Sequence, residues 1–424
     1  MAIEDDVCVI GGGLAGMTSA LRAAREGARV RLVSHKKSTL RHASGLVDVL
    51  GYTPDGELVA DPLDALPALP ETHPYRRVGS DAVRAGLDLF DRVAGDAYLG
   101  GHTDANALVP THGGTVKPTA RYPRSVAAGL ASDRRETLLV GFETLTAFDA
   151  PLAADHLAAA GVPSRTRGVT VAFPGEFRAD SRVTRFARAL AEDEAIETTD
   201  GATTARRALA ATVEPHLDGA ERVGFPAILG EDEPSEVRAA LETRFGVGVF
   251  EVPMGPPSLP GLRLEGLFDA ALDDAGVRRT TGDPVVDFEA DDGRIQAVYT
   301  DRNGQRVPFH ADQFVLATGG LVGKGIDSDR EGVVEPVFDC HVPRPDDRYE
   351  WFADGAFDDH PFARFGVTVD DDLRPLDASG GVEYGNLRAV GAVLGGADFA
   401  AEKSGSGISL ATGYAAGRAA GEAV

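Results

Sequence analysis

An α/β fold is predicted for this chain, built on a parallel sheet and interrupted by a second domain. Three observations predict it. Residues 5–38, "DDVCVIGGGLAGMTSALRAAREGARVRLVSHKKS", read as strand, glycine turn, helix and strand. Far downstream a second apolar run, "QFVLATGG", also ends in a small-residue turn. Between them, from roughly residue 80 to 250, strand and helix patterns alternate without a second glycine fingerprint. At 424 residues the chain has room for two or three compact domains.

In the opening unit Val7, Val9 and Ile10 form the apolar run of a buried parallel strand. Gly11, Gly13 and Gly16 follow at GxGxxG spacing. Leu14, Met17, Leu21 and Ala24 then recur at helical intervals, Gly27 ends the helix, and "ARVRLV" makes the second strand. One glycine permits a tight turn, one lets backbone approach a pyrophosphate, and one brings the helix close to the sheet. The helix start, at Leu14 and Ala15, offers free N–H groups and a positive dipole end to phosphates. The motif stands between a strand and a helix, the context that dinucleotide binding requires. The domain therefore reads as Rossmann-like, of the FAD/NAD(P)-binding type. Its second strand departs from the pattern. An Asp or Glu is expected about 20 residues on, to hold the ribose hydroxyls. Ser34 stands there and cannot act as a two-oxygen acceptor. Lys36 and Lys37 nearby would favour an extra phosphate, which leaves NADP conceivable.

"STLRHASGLVDVLG" follows, with His42, Ser44 and Gly45 in a polar turn before an apolar segment. The turn either places donors against a ring system or starts a helix with Ser44 as N-cap. Residues 53–75, rich in proline and acid, read as a connecting loop. "TLLVGFETLTAFDAPLAADHLAAAG" gives a strand and then a helix with Phe148, Leu152 and Leu157 among its apolar positions. "VPTHGGTVKPTARYPRS" gathers His112, Lys117, Arg121 and Arg124, to face an anionic substrate or to balance acidic surface. Residues 283–312 read as a hairpin meander with turns at "DDG" and "RNG". The strand after it ends in Thr318, Gly319 and Gly320, suited to a second backbone approach to the bound nucleotide. The last segment, "NLRAVGAVLGGADFAAEKSGSGISLATGYAAGRAAG", reads as a strand, a turn at Gly395 and Gly396, and a second turn at Gly405 and Gly407. A small-residue helix then starts from about Ile408 and Ser409. Its positive end suits a reduced, anionic flavin. The division expected is a discontinuous flavin-binding domain, 1–75 and 251–424, around an inserted α+β domain, 76–250, for substrate or interaction.

Composition narrows the function. With 66 acidic and 42 basic residues the formal net charge is −24, and the acids are spread along the chain. Phosphate binding needs basic surface, so nucleic acid is not an expected partner. A dense carboxylate surface stays hydrated in high salt, as a halophilic source demands. Cys8 and Cys340 are too few for an iron–sulfur centre, which needs about four thiolates. No metal site and no disulfide framework are expected, and a reducing cytoplasm is the default setting. No apolar run reaches the roughly 20 residues of a membrane span, and "MAIEDD" is not a targeting segment.

Taken together, "GGGLAGMTSAL", "VSHKKSTLRHASGLVDVLG", "LLVGFETLTAFDAPLAADHL", "PPSLPGLRLEGLFDAAL", "VLATGG" and "SGSGISLATGYAAGRAAG" resemble the two-domain FAD flavoproteins related to fumarate reductase. Within that group the chain most resembles the B subunits of anaerobic glycerol-3-phosphate dehydrogenase, with a haloarchaeal composition. The resemblance implies oxidation of sn-glycerol 3-phosphate to dihydroxyacetone phosphate, with electrons passed to quinone. It implies a soluble pair formed with the catalytic A-type partner of such enzymes, and an iron–sulfur C-type partner that anchors the pair. The chain itself would be cytoplasmic, held at the inner face of the cell membrane through a partner and not inserted. The flavin of such subunits is described as FMN. Ser34, and Ala392 in "VGAVLGG" where relatives often carry a ribityl-binding acid, both suit FMN. The glycine fingerprint is built for a pyrophosphate, which FMN lacks, so FMN and FAD stand even. Removing hydride from a secondary alcohol needs a base beside the hydroxyl. His42, His112 and His310 qualify by residue type, and His42 also by its place at the polar turn. Other readings are a self-sufficient flavin-dependent dehydrogenase or fumarate-reductase-like enzyme, a non-catalytic assembly subunit with a decayed nucleotide site, and an NADP reductase.

Overall fold

β1 (Ile3–Ile10) becomes the inner strand of its sheet because both of its faces are covered: Val7, Cys8, Val9 and Ile10 are all buried. Burial, and after it the charge of Asp5, pushes the Cys8 thiol up to about 12, so it is an inert core residue. The computed structural model describes residues 3–178, 181–198 and 201–424. They form two compact units, 1–39 with 48–95 and 267–424, and 40–47 with 96–266.

In the first unit β1 is followed by α1 (Leu14–Arg25), β2 (Val30–Ser34) and α2 (Pro74–Ala94). Then come β3 (Arg278–Thr281), β4 (Val285–Asp291), β5 (Arg294–Arg302), β6 (Gln305–Leu316), β7 (Leu387–Ala389) and α3 (Gly405–Glu422). The sheet runs β3-β2-β1-β6-β5-β4, with β7 beside the end of β6. β1, β2, β3, β7 and the end of β6 are parallel, so their carboxyl ends share one edge. At the opposite edge Asp5, buried, pairs with Arg31 (2.7 Å) and Arg278, stapling β1 to β2 and β3.

The expected meander is present. Its turns put Asp292 and Gly293 (φ 47° and 69°) and Asn303 and Gly304 (φ 55° and 82°) in left-handed conformations, as two-residue hairpins need. Its third strand and the run "QFVLATGG", read as separate from sequence, are one strand. β6 pairs antiparallel with β5 through His310 and parallel with β1 from Phe309 to Leu316.

α3 begins at Gly405, not near Ile408, so "GSG" is the first helical turn. Glycine disfavours helix intrinsically, which is why the segment reads as a turn. Tertiary packing overrides that. A Cβ on Gly407 would fall 2.2 Å from the Tyr75 hydroxyl and 2.7 Å from Val49 Cα. Gly413 and Gly417 likewise lie against the backbone of α1, and Gly86 of α2 lies against that of α3 at Leu410. This close packing keeps α2 with the first unit, so the division falls after residue 95 instead of near 76, and at 266 instead of 250. Residues 40–47 go with the second unit, where Val47 exchanges backbone hydrogen bonds with Arg121.

The second unit centres on four parallel strands in the order Gly248–Val252, Arg222–Pro226, Thr137–Phe142, Thr166–Val171. Antiparallel ribbons such as Ala107–Pro110 with Val116–Thr119 surround it. The helix expected after "LLVGF" is Ala150–Ala159, capped by the Asp149 carboxylate, which accepts the Leu152 N–H. Phe148 and Leu157 are buried, but Leu152, expected on the apolar face, is 50% exposed. Its position in the first turn puts it on the outer side. Among the described residues no helix is long and apolar enough to cross a membrane.

Glu251 lies fully buried in the second unit, bonded to Arg263 at 2.6 Å and 3.1 Å and to the Leu229 N–H at 2.8 Å. Burial alone would raise its pKa, but the Arg263 charge and these hydrogen bonds outweigh it and hold the carboxyl below the usual 4.5. A depressed folded-state pKa stabilises above the unfolded value, and that contribution is lost as pH falls through the folded value. Glu251→Gln strands the Arg263 charge and is expected to cost about 3–5 kcal/mol. Urea titrations of both proteins between pH 3 and 7 check this: the variant should be less stable at neutral pH, with a flatter decline on acidification.

Candidate functional site

The carboxyl ends of the parallel strands are where α/β sheets place ligands, because loops leave there and helices point their N-termini back. Five such ends meet at one edge of the first unit. Gly11 follows β1 with φ +120°, and a Cβ on it would fall 2.1 Å from the Ala317 carbonyl oxygen. Its N–H donates to Val33 O (2.8 Å), and the Ala317 N–H donates to Ile10 O (2.8 Å). The loop after β1 is thereby locked between the ends of β2 and β6. Gly16 lets α1 settle on that loop, since its Cβ would meet Gly11 O at 1.9 Å. Gly12 lies against Ser34, whose buried hydroxyl reaches Thr281 Oγ1 at 3.2 Å. The residue in place of the ribose acid is thus tied to β3.

Gly13 differs from its neighbours. It is the N-cap of α1 with φ −80°, a conformation open to any residue, and nothing lies within 4 Å of where its Cβ would be. Neither backbone strain nor packing within the chain calls for glycine there, so the backbone is open to close approach from outside. No side chain caps α1 and no acid stands in its first turn, so the amides beside Leu14 and Ala15 keep their attraction for an anion.

β6 delivers Thr318, Gly319 and Gly320 to the same edge. Thr318 Oγ1 is buried without a hydrogen-bond partner, a polar group left for something outside the chain. Gly319 has φ +87°, and a Cβ on Gly320 would fall 2.7 Å from Ala392 O. After β7, Gly391 (φ +71°) donates its N–H to Thr412 Oγ1 (2.9 Å), and its Cβ would lie 2.6 Å from Ala15 Cβ and 3.5 Å from Ser409 Oγ. Sequence reasoning misses Gly391, although a glycine at the end of the apolar run "LRAV" resembles the signal that marks Gly11. On the open space at Gly13, the uncapped α1 and the orphaned Thr318 hydroxyl, the phosphate-bearing end of a flavin fits this edge.

Other expected residues are otherwise engaged. Gly395 and Gly396 donate their N–H groups to Val367 O (3.1 Å) and Arg364 O (3.0 Å), and Gly396 packs on Thr72 O. The Gly407 N–H is taken by Asp48 O (2.7 Å) and that of Ile408 by Ser404 O (3.0 Å). Gly405, half-buried, opens α3. These glycines pack chain on chain. His42, Ser44 and Gly45 lie in the segment that goes with the second unit. No helix follows Ser44, whose hydroxyl instead accepts the Leu46 N–H at 3.4 Å, and Gly45 O accepts the Tyr98 hydroxyl at 2.8 Å. His42 is exposed at the end of a short 3-10 turn, Thr39–His42. His310 is paired in register with Glu4 and Ala297, well before the carboxyl end of β6. His112 donates its backbone N–H to Pro253 O (3.2 Å). Of the basic group in the second unit, Arg121 is buried and bonds Gly100 O and Ala120 O, and Arg124 bonds Asp96 O. These two serve the fold, and Lys117 stands on the ribbon Val116–Thr119.

The chain matches the family profile described as an FAD binding domain over residues 6–408. It is 62% identical over 425 residues to a Halobacterium salinarum protein described as the probable B subunit of an anaerobic glycerol-3-phosphate dehydrogenase, spanning 100% of this chain and 99% of that one. A Vibrio cholerae protein, also described as the B subunit of anaerobic glycerol-3-phosphate dehydrogenase, is 33% identical over 429 residues, 96% of this chain and 94% of that one.

The glycines separate two kinds of loss. Gly13→Val should change the stability of the flavin-stripped chain by no more than about 1 kcal/mol yet abolish retention of the bound nucleotide. Gly11→Ala, strained at positive φ and clashing with Ala317, should lower stability by about 1–3 kcal/mol or more. Thermal melts paired with absorbance of the released cofactor check both.

Proposed function

The chain belongs to the B-subunit family of anaerobic glycerol-3-phosphate dehydrogenases, within the FAD-binding-domain flavoproteins, and from that premise we propose how it works. It is a flavin-dependent oxidoreductase, one of several subunits of an assembly that oxidises sn-glycerol 3-phosphate to dihydroxyacetone phosphate and passes electrons to quinone. The observation that carries the assignment to this site is Gly13, an unstrained glycine facing open space at an uncapped helix start.

When bound, the flavin supplies the two-electron acceptor that no side chain can provide. The chain's own part is to hold and to exclude. The loop Gly11–Gly13 and the α1 amides hold the phosphate end, and the Thr318 hydroxyl donates or accepts one further hydrogen bond. Backbone at Gly319, Gly320 and Gly391 approaches closely because side chains there are absent. Ser34, bonded to Thr281, leaves the ribose position without a carboxylate.

The loops after β1, β6 and β7 that line this edge, Gly11–Gly13, Ala317–Gly320 and Val390–Ala392, carry no carboxylate and no imidazole. The base that takes the substrate's hydroxyl proton is not on these three loops, and we assign it to another segment of the chain or to a partner chain. Electrons also have to leave for another chain. Cys8 and Cys340 are buried, and burial holds both thiols in the protonated form, so they do not ligate a cluster. We assign the partner roles to a catalytic A-type chain and an iron–sulfur C-type chain, the latter fixing the assembly to the inner face of the cell membrane.

The test uses full-length chain purified in high salt with its non-covalent cofactor retained. Acid release, chromatography and mass should recover close to one flavin per chain. FAD means the loop cradles a pyrophosphate despite Ser34. FMN means it holds a single phosphate and the adenosine pocket is lost. A folded chain that never carries flavin overturns the reading in favour of a purely structural role.

A further inference from the structure

Beyond the flavin edge, the first unit holds an open cavity of about 600 Å³, a volume typical of a small-molecule site. Its wall includes Lys324, Arg330 and Arg348 on one hand and Trp351, Phe362 and Phe365 on the other. The aromatic side is ordered by its own contacts. Trp351 meets Phe365 edge-on at 5.9 Å, and its indole N–H donates to Pro345 O at 2.9 Å. Flat apolar surface is thus presented with its polar tip already satisfied.

The cationic side is marked by its position in the cavity, on a chain whose acids outnumber its bases 66 to 42. Yet Arg330 and Arg348 have no ion pair and no hydrogen bond among the described residues, although both are surrounded in sequence by acids. Three of those acids are engaged elsewhere. Asp329 accepts the N–H groups of Glu331 (2.7 Å) and Gly332 (2.9 Å), Asp347 accepts that of Tyr349 (2.9 Å), and Asp327 is bonded to Lys324 (3.2 Å). Two guanidinium groups without an ion pair among the described residues therefore share one cavity with aromatic rings and with Asp329, whose carboxylate is already held by the two N–H groups. Guanidinium pairs well with carboxylate, sulfonate or phosphate oxygens, and ring faces take planar apolar groups.

We propose that this cavity is a binding site for a small planar aromatic anion, whose ring lies against Trp351 and the neighbouring phenylalanines while its acid group pairs with Arg330 and Arg348. The cavity adjoins the glycine edge, its lining beginning at Leu321 next to Gly320, and the proposal rests on its own lining residues and not on the flavin assignment.

Trp351 is the one tryptophan in the chain, so intrinsic emission excited near 295 nm reports on this wall alone. The flavin-loaded full chain is titrated in high salt with 8-anilinonaphthalene-1-sulfonate and, separately, with N-phenyl-1-naphthylamine, the same ring system without the acid. The sulfonate should quench Trp351 saturably by energy transfer and bind more tightly than the uncharged amine. Arg330→Ala and Arg348→Ala should each weaken the sulfonate by about tenfold or more and leave the amine unchanged. Arg348→Lys should recover part of the loss. Both arginines are exposed and unbonded, so melting temperatures should not move. Equal binding of the two probes, or indifference to the arginine variants, overturns the proposal and leaves only an apolar patch. So does a rise in Trp351 emission on stripping the flavin, coupled with competition between flavin and sulfonate, because the cavity would then be the flavin's own.

Discussion

The contact between Gly11 and Ala317 is the constraint on which the first unit depends. Two backbones from residues some 300 positions apart meet so closely that no Cβ fits between them, at 2.1 Å from the Ala317 oxygen. Two hydrogen bonds, Gly11 to Val33 and Ala317 to Ile10, hold them in register with β1 and β2. Once that junction is made, α1 must start where it does, Gly16 must pack on the loop, and Gly13 must face outward. The edge then offers amides and one orphaned hydroxyl and almost no side-chain chemistry. That suits a site whose reactive group is brought in by a cofactor.

Electrostatics divides the molecule along similar lines. Two sets of buried charges are paired inside: Asp5 with Arg31 and Arg278 at the end of the sheet remote from the loops, and Glu251 with Arg263 in the second unit. The Asp5 pairs join strands distant in sequence and the Glu251–Arg263 pair joins neighbouring elements, so each serves folding and not chemistry. The large acidic excess lies outside, where water and counter-ions solvate it.

The β1–α1–β2 unit, the meander with its two left-handed turns and the absence of cluster-forming cysteines were legible from residue spacing. Each rests on local rules: apolar runs, glycine at positive φ, thiol count. What failed to read through was packing. "GSG" at 405–407 reads as a turn because glycine is a poor helix former, yet it is helix because Gly407 must pass Tyr75 and Val49. Gly395 and Gly396 resemble cofactor glycines but bond to 364–367. Arg121 resembles a substrate cation but is consumed by backbone carbonyls.

The sequence by itself determined the family, the flavin class and the strand–glycine–helix unit, since these depend on residue types at short fixed intervals. Only the tertiary structure decided which glycines face open space and which face the chain, because a glycine's reason lies in what approaches it. By that measure Gly13 and Gly16, three residues apart, are opposites: one meets nothing within 4 Å and the other meets a carbonyl oxygen at 1.9 Å.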